Sequence, residues 1–144
     1  MHRLVRSCHR TAGQHVVSQA VPTVALMTRR HDGQSRVALG RWGERRVARW
    51  YEAAGYVVLD QNWRVRGGEL DLVVAKGDQI VFCEVKTRSS DRFGSGFEAV
   101  DARKQRFVRR TAMSWLDSHD RRGRLRFDVA TVNGGSIEII EAAF

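Results

Sequence analysis

Two apolar runs joined by a Gly-Asp turn constrain the fold of this chain more than any other stretch does. Residues 70–74 and 79–85 are rich in β-branched and apolar side chains, and Gly77-Asp78 lies between them. This pattern is typical of a β-hairpin, in which a two-residue loop sets the pairing of both strands. The sequence therefore predicts an antiparallel strand pair that turns at Gly77-Asp78.

The register of this hairpin determines where four charged side chains lie. Counting back along both strands sets Asp71 opposite Glu84 and Glu69 opposite Lys86. Because side chains alternate across a strand, all four then share one face of the sheet. A three-residue loop would shift the pairing by one residue and separate them. The opposite face is expected to belong to the core and to carry Leu70, Leu72, Val74, and Phe82 or its register neighbours.

Facing carboxylates in such a register indicate a cation site. Two acids at roughly 5 Å between β-carbons repel each other unless a proton or a metal ion separates them. Oxygen ligands without a nearby His or Cys suit Mg²⁺ or Mn²⁺, which completes its shell with water and phosphate oxygens. Lys86 would then orient or deprotonate a water, or stabilise charge on a phosphate. The alternative is a cross-strand ion-pair ladder on a solvated sheet face.

A longer series of residues continues this pattern along the chain. It comprises Gly40-Arg41-Trp42-Gly43-Glu44, Gly55-Tyr56, Asn62-Trp63-Arg64, Gly67 to Leu72, Phe82 to Arg88, Lys104 and Arg126 to Val129. Asp71 with Glu84-Val85-Lys86 looks like the PD-(D/E)xK signature of metal-dependent nucleases. The whole series, over about residues 37–144, resembles the YraN / UPF0102 family. That family is similar in fold to archaeal Holliday-junction resolvases.

The resemblance implies a restriction-endonuclease-like α/β fold and a role for each matching residue. Asp71 and Glu84 match the metal-binding acids, and Lys86 matches the catalytic lysine. Glu44 matches an acid on the first helix that reaches the same metal. The implied cofactor is Mg²⁺ or Mn²⁺, and the implied substrate is DNA, with branched or structured DNA suggested by the resolvases. Cutting two strands of a junction would require a homodimer.

The charge of the chain agrees with a polyanionic partner. The net charge is +9, which favours nucleic acid or an anionic membrane surface. No stretch approaches the roughly eighteen uninterrupted apolar residues of a membrane span, which excludes a span. A membrane-surface role rests only on the positive N-terminal tail, so we expect no membrane partner. DNA is favoured over RNA. The expected contacts with nucleic acid are Arg88, Arg103, Lys104, Arg106 and Arg110. For each arginine alone, a solvated surface charge is the alternative.

The first 36 residues differ from the rest. They hold six arginines and a single acid, Asp32, without a clear apolar period. We expect a basic, disordered extension over residues 1–36 and one nuclease-like domain over 37–144, with Met27 favoured over Met1 as the true start. A basic arm that adds nonspecific DNA affinity is the alternative. The chain has two cysteines without metal-ligand spacing, which fits a reducing cytoplasm.

Periodicity and turn signals predict the remaining elements. They are a helix over 37–54 stopped by Gly55, a strand from 56, a mobile loop over 88–97, a helix over 101–118 and a closing hairpin over 125–131 and 136–140. The crossover from Glu84 to Leu125 is long enough to make the later strand parallel to its neighbour. The expected architecture is a mixed central sheet flanked by helices. Asp128, on the later strand, is expected to form structural hydrogen bonds.

Two functions follow from these features. The leading hypothesis is a metal-dependent endonuclease that hydrolyses phosphodiester bonds in DNA. The alternative is a catalytically silent nucleic-acid-binding module that has kept the same fold.

Overall fold

The fold is a mixed β-sheet with one helix on each face. The computed structural model describes residues 6–10, 14–20, 32–89 and 100–144. Their elements are β1 (Arg6–Arg10), β2 (Gln14–Ala20), α1 (Asp32–Ala53), β3 (Val57–Val65), β4 (Gly68–Lys76), β5 (Gln79–Arg88), α2 (Ala102–Ser118), β6 (Arg124–Asn133) and β7 (Ser136–Ile140). The strand order is β1-β2-β7-β6-β5-β4-β3. This arrangement confirms the predicted α/β class.

The central hairpin forms with the predicted two-residue loop. Lys76 pairs with Gln79, and Gly77 has a φ of 59°. β5 and β6 are parallel and pair without interruption from Gln79–Arg124 to Arg88–Asn133, whereas every other neighbouring pair is antiparallel. The crossover through α2 therefore makes the parallel pair that the sequence predicted.

Both helices end or begin where local sequence signals place them. α1 is followed by Gly55 at a φ of 88°, and the Tyr56 amide donates to the Tyr51 carbonyl at 3.0 Å. The first turn of α2 is capped by Asp101, whose carboxylate accepts the Lys104 amide at 2.8 Å. Neither α1 nor α2 is long and apolar enough to cross a bilayer, and these are the helices of the described residues.

The start of α1 does not coincide with the predicted domain boundary at residue 37. The helix begins at Asp32, and upstream of it β1 and β2 extend the sheet beyond β7. Within residues 1–36, where a disordered extension was expected, the described backbone thus includes two strands. The expected mobile loop over 88–97 lies outside the described residues except for its first two, Arg88 and Ser89.

The core is divided by the sheet into two apolar layers. The α1 layer joins Val47 and Tyr51 of the helix to Leu72 and Cys83 of the hairpin. The α2 layer is built around Phe82, Trp115, Val73, Val108 and Phe127. Cys83 is 3% exposed, as expected for a small core residue. The charged residues Glu69, Asp71, Glu84 and Lys86 lie in the halves of β4 and β5 that are farther from the Gly77-Asp78 loop.

Asp128 lies in the middle of β6 and is fully buried. Its carboxylate accepts hydrogen bonds from the Tyr51 hydroxyl at 2.6 Å, the Arg126 guanidinium at 2.8 and 2.9 Å, and the Ala142 amide at 3.0 Å. Burial alone lowers the pKa of Arg126, but its bonds with Asp128 outweigh burial and raise it. The prediction of a structural hydrogen-bonding role for Asp128 is confirmed.

Candidate functional site

The central hairpin opens at Asp71. Pairing between β4 and β5 ends at Leu72–Cys83. Two residues further along β5, the backbone amide of Val85 donates to the Asp71 carboxylate at 2.8 Å. The predicted facing pairs Asp71–Glu84 and Glu69–Lys86 are therefore not part of the ladder. The physical reason is that a side chain has taken the place of a backbone acceptor, which lets the two strands separate.

The alternation of β4 breaks at the same residue. Leu72 packs in the α1 layer, yet Leu70, two residues earlier, packs in the α2 layer. Across β3, Asn62 lies in register with this break and has a φ of 54°, a left-handed conformation. Glu69 consequently lines the α1 side of the sheet, where it pairs with Arg64 at 2.8 Å.

Two predictions about sheet faces are therefore wrong. Glu69 does not share a face with Glu84, because strand alternation does not continue through Asp71. Leu70 was expected on the face opposite the acids with Leu72 and Val74, but it packs against α2. For Phe82 or its register neighbours, the neighbours Val81 and Cys83 lie on the expected face, and Phe82 packs against α2. Phe82 has the same strand parity as Glu84, so ordinary alternation already puts the two on one face.

Asp71 lies between the two faces and is influenced by charges from both. Burial, the charge of Glu84 and, to a smaller extent, the charge of Glu44 on α1 raise the pKa of Asp71 to about 7. The Val85 hydrogen bond and the charge of Lys104 on α2 act in the opposite direction. Such a carboxylate is easily stabilised by any cation that reaches it.

Glu84 is held by a cation from α2. The Lys104 ammonium lies 2.9 Å from the Glu84 carboxylate, and the side chain of Glu84 is only 13% exposed. Burial lowers the pKa of Lys104, but Glu84, Asp71 and Glu69 together outweigh burial and raise it. Lys104, one of the five residues expected to contact nucleic acid, thus points back into the acids.

Glu44 approaches from α1, beside a close contact between helix and sheet. Its carboxylate accepts the Asn62 side-chain amide at 2.7 Å. The preceding Gly43 is buried, and a β-carbon there would fall inside van der Waals contact of Thr87 on β5. The missing side chain lets α1 lie close to the strand that carries Glu84 and Lys86.

Lys86 and Arg88 follow Glu84 along β5. The uninterrupted pairing with β6 keeps regular alternation here, so all three side chains leave the same face of the strand. Both cationic residues are half-buried. The Glu84 bond to Lys104 identifies this face as the one covered by α2.

The expected arginines of α2 form a separate, exposed group. Arg103 and Arg110 lie over the ring of Phe107, with guanidinium carbons 5.8 and 4.8 Å from its centroid, and Arg106 is exposed. Phe107 itself is 37% exposed. Helical periodicity separates this group from Lys104, which lies on the sheet-facing side with Val108.

A groove lies on the α1 side of the sheet. It has a volume of about 410 Å³ and is lined by Val37, Gly40, Arg41, Glu44, Asn62, Arg64 and Glu69. The groove therefore has two positive and two negative side chains, and Asn62 connects its lining to the break in β4.

Comparison of the sequence with known proteins assigns the chain to a family. A model of the uncharacterised protein family UPF0102 matches residues 43–132, which include every acid of the site. The chain belongs to this family. A UPF0102 protein of Frankia casuarinae is 50% identical over 117 residues, 77% of this chain and 99% of its own length. A UPF0102 protein of Rhodococcus jostii is 46% identical over 114 residues, 75% and 97% of the respective chains.

The site has few potential metal ligands, and all of them are carboxylate oxygens. Across residues 33–89 and 100–144, no group of three or more His, Cys, Asp or Glu side chains is arranged to hold a metal ion. A pair of carboxylates is nevertheless the usual protein contribution to Mg²⁺, whose remaining ligands are waters and substrate phosphates. The donor set of Asp71 and Glu84 fits such an ion, because the charge repulsion that raises the pKa of Asp71 is what a divalent cation relieves.

One residue beside the acids of this UPF0102 chain, Asn62, was part of the resemblance series but was given no role by reasoning from the residues. Asn62 combines a left-handed backbone with a hydrogen bond to Glu44, and it lies in register with the break at Asp71. Asparagine adopts this conformation more readily than most residues, which is a weak signal in a strand. Only the paired geometry of β3 and β4 reveals its position.

Proposed function

We propose that this UPF0102 protein is a metal-dependent endonuclease that hydrolyses phosphodiester bonds in DNA. The observation that carries the proposal is the position of the Asp71 carboxylate at the fork of the hairpin. Burial, the charge of Glu84 on β5 and the charge of Glu44 on α1 together raise the pKa of this carboxyl to about 7. A half-buried acid under this repulsion is unfavourable in the metal-free protein and favourable as a ligand of a divalent cation.

Each neighbouring side chain has a task in this proposal. Asp71 and Glu84 would hold Mg²⁺ or Mn²⁺, and Glu44 would adjust the charge of the site from α1. When bound, the ion supplies Lewis-acid stabilisation of phosphate charge and a more acidic water. Lys86, on the same face of β5 as Glu84, would orient the attacking water or stabilise charge on the phosphate.

The basic surface supports a polyanionic substrate. The exposed arginines Arg103, Arg106 and Arg110 would hold phosphates that flank the scissile bond, and Arg88 would act nearer the acids. The resemblance to resolvases favours branched or structured DNA over plain duplex. A cytoplasmic location and a homodimer, which would provide a second active site for a second strand, complete the proposal.

Cleavage of defined DNA substrates tests this function. Four-way junctions, flaps, single strands and duplexes are incubated with the protein and Mn²⁺ or Mg²⁺, with Asp71→Asn as the site variant and Asp78→Asn as the matched control on the exposed hairpin loop. We expect cutting by the wild type and by Asp78→Asn, and none by Asp71→Asn. Tight DNA binding without cutting by any form would instead support the silent binding module.

A further inference from the structure

The ion pair between Lys104 and Glu84 has a competitor if the site takes up a divalent cation. The ammonium lies 2.9 Å from a carboxylate proposed as a metal ligand, and its charge also acts on Asp71. An ammonium and a metal ion cannot both have the closest contact with the same oxygen. Lys104 is therefore placed to exclude the metal or to be displaced by it.

We propose that Lys104 is an internal counter-ion of the metal-free site, which a divalent cation displaces from Glu84 and which then contacts a substrate phosphate. This inference rests on the proposed function, because it assumes that Asp71 and Glu84 bind a metal. In the metal-free protein the Lys104 ammonium offsets charge on Glu84 and Asp71. When a divalent cation is bound, it would neutralise the charges of Asp71 and Glu84, and Lys104 would be free to turn toward the DNA.

The fold allows this exchange. The Lys104 side chain is 45% exposed, so its ammonium can rotate toward solvent without opening the core. Glu84, in contrast, is fixed on β5, which pairs with β6 along its whole length. Arg103, Arg106 and Arg110 already provide a phosphate-binding surface on the outer face of the same helix. A released Lys104 would extend that surface to the edge of the metal site.

Titration with Mn²⁺ by calorimetry tests the exchange directly. We expect Lys104→Met to bind Mn²⁺ at least tenfold more tightly than the wild type does, because the competing charge is gone, and Lys104→Arg to stay near the wild type. Arg103→Met, which removes an equal charge from the outer face of α2, should change the affinity less than twofold. In a Glu84→Gln background, the gain from Lys104→Met should be much smaller, because only the charge that acts on Asp71 is then removed.

Binding of a flap DNA in Ca²⁺ or in EDTA provides the second measurement. Lys104→Met should weaken DNA binding in Ca²⁺ and leave it unchanged in EDTA, whereas Arg103→Met should weaken it in both. If the wild type binds Mn²⁺ but Lys104→Met shows equal or weaker affinity, the exchange is refuted and the proposed function stands. If the folded wild type binds no Mn²⁺ at pH 8, both proposals fail.

Discussion

The Asp71 carboxylate accepts the backbone amide of Val85 at 2.8 Å, across a hairpin whose ladder has already ended at the preceding pair. This single bond replaces a rung of the sheet with a side chain. As a result, β4 and β5 diverge at the residue where acids from α1 and β5 converge. Because the strands separate here, charges on both sides of the sheet, Glu44 on α1 and Lys104 on α2, act on the half-buried Asp71 carboxylate. In a regular ladder, the Asp71 side chain would lie on one face only.

The stability of the metal-free protein should depend on the ionisation of Asp71. A carboxyl whose pKa is about 7 in the folded chain and about 3.9 when unfolded makes the folded state lose stability as pH rises from 4 to 7. Asp71→Asn removes this loss and retains an oxygen acceptor for Val85. We expect a gain of about 1 to 3 kcal/mol at pH 8 and little change at pH 4.5, measured by urea unfolding in EDTA.

Glu52→Gln is the control for this pH effect, since it removes an exposed acid from α1. Its unfolding free energy should follow the wild type at both pH values. An equal gain for Asp71→Asn at pH 4.5 and pH 8 would show that ionisation of Asp71 is not the cause.

Binding of Mn²⁺ should release a proton near neutral pH. The metal requires ionised Asp71, and a proton competes for that carboxylate below its pKa of about 7. We therefore expect the affinity to fall about fivefold between pH 7 and pH 6, and about tenfold for each further pH unit below that. Calorimetry in buffers of different ionisation enthalpy measures the released proton. A constant affinity from pH 5.5 to 8 would contradict the assignment of Asp71 as a ligand.

The contact between α1 and β5 should be sensitive at Gly43 and insensitive at Gly40. A β-carbon at Gly43 would press on Thr87, whereas nothing lies within 4 Å of one at Gly40. Gly43→Ala should cost about 1 to 3 kcal/mol of unfolding free energy through overpacking. Gly40→Ala should stabilise α1 by about 0.5 to 1 kcal/mol, because alanine is the better helix former. Thermal or urea unfolding of the two variants distinguishes them.

The buried Asp128 should make Tyr51 important for stability without a role in catalysis. Tyr51→Phe removes the 2.6 Å hydrogen bond to a fully buried carboxylate, at an expected cost of about 1.5 to 3 kcal/mol. Asp128→Asn should cost more, about 3 to 5 kcal/mol, because it removes the nearer carboxylate partner of the half-buried Arg126 and leaves Glu141 at 3.3 Å. Urea unfolding gives both values, and DNA cleavage by folded Tyr51→Phe should equal that of the wild type.

The outer face of α2 should determine the salt dependence of DNA binding. Replacing Arg103, Arg106 and Arg110 with alanine removes three exposed cations from one helix. Each lost phosphate contact should reduce the slope of log affinity against log salt by about 1. Replacing Arg121 and Arg122, exposed beyond the end of α2, is the control. If both sets lower the slope equally per arginine, binding is spread over the basic surface and is not focused on the helix.

The local signals in the sequence were sufficient for most of the architecture. Gly77-Asp78 determined the hairpin loop, Asp101 the start of α2, and Gly55 the end of α1, because each depends on turn or cap chemistry within a few residues. The parallel pairing of β5 with β6 followed from the length of the crossover. The start of α1 lacked a comparable local signal, and the helix begins at Asp32, before the predicted residue 37. The strands β1 and β2 also lacked such signals and were not predicted.

The sequence by itself determined which acids and cations are available and which strands carry them. Only the tertiary structure decided that Asp71 interrupts the ladder, that Glu69 and Glu84 lie on opposite faces, and that Lys104 pairs with Glu84. Strand alternation assumes a regular backbone, and a side chain that accepts a hydrogen bond meant for the backbone breaks this assumption. That substitution depends on the packing of two helices against the sheet, which no single segment specifies.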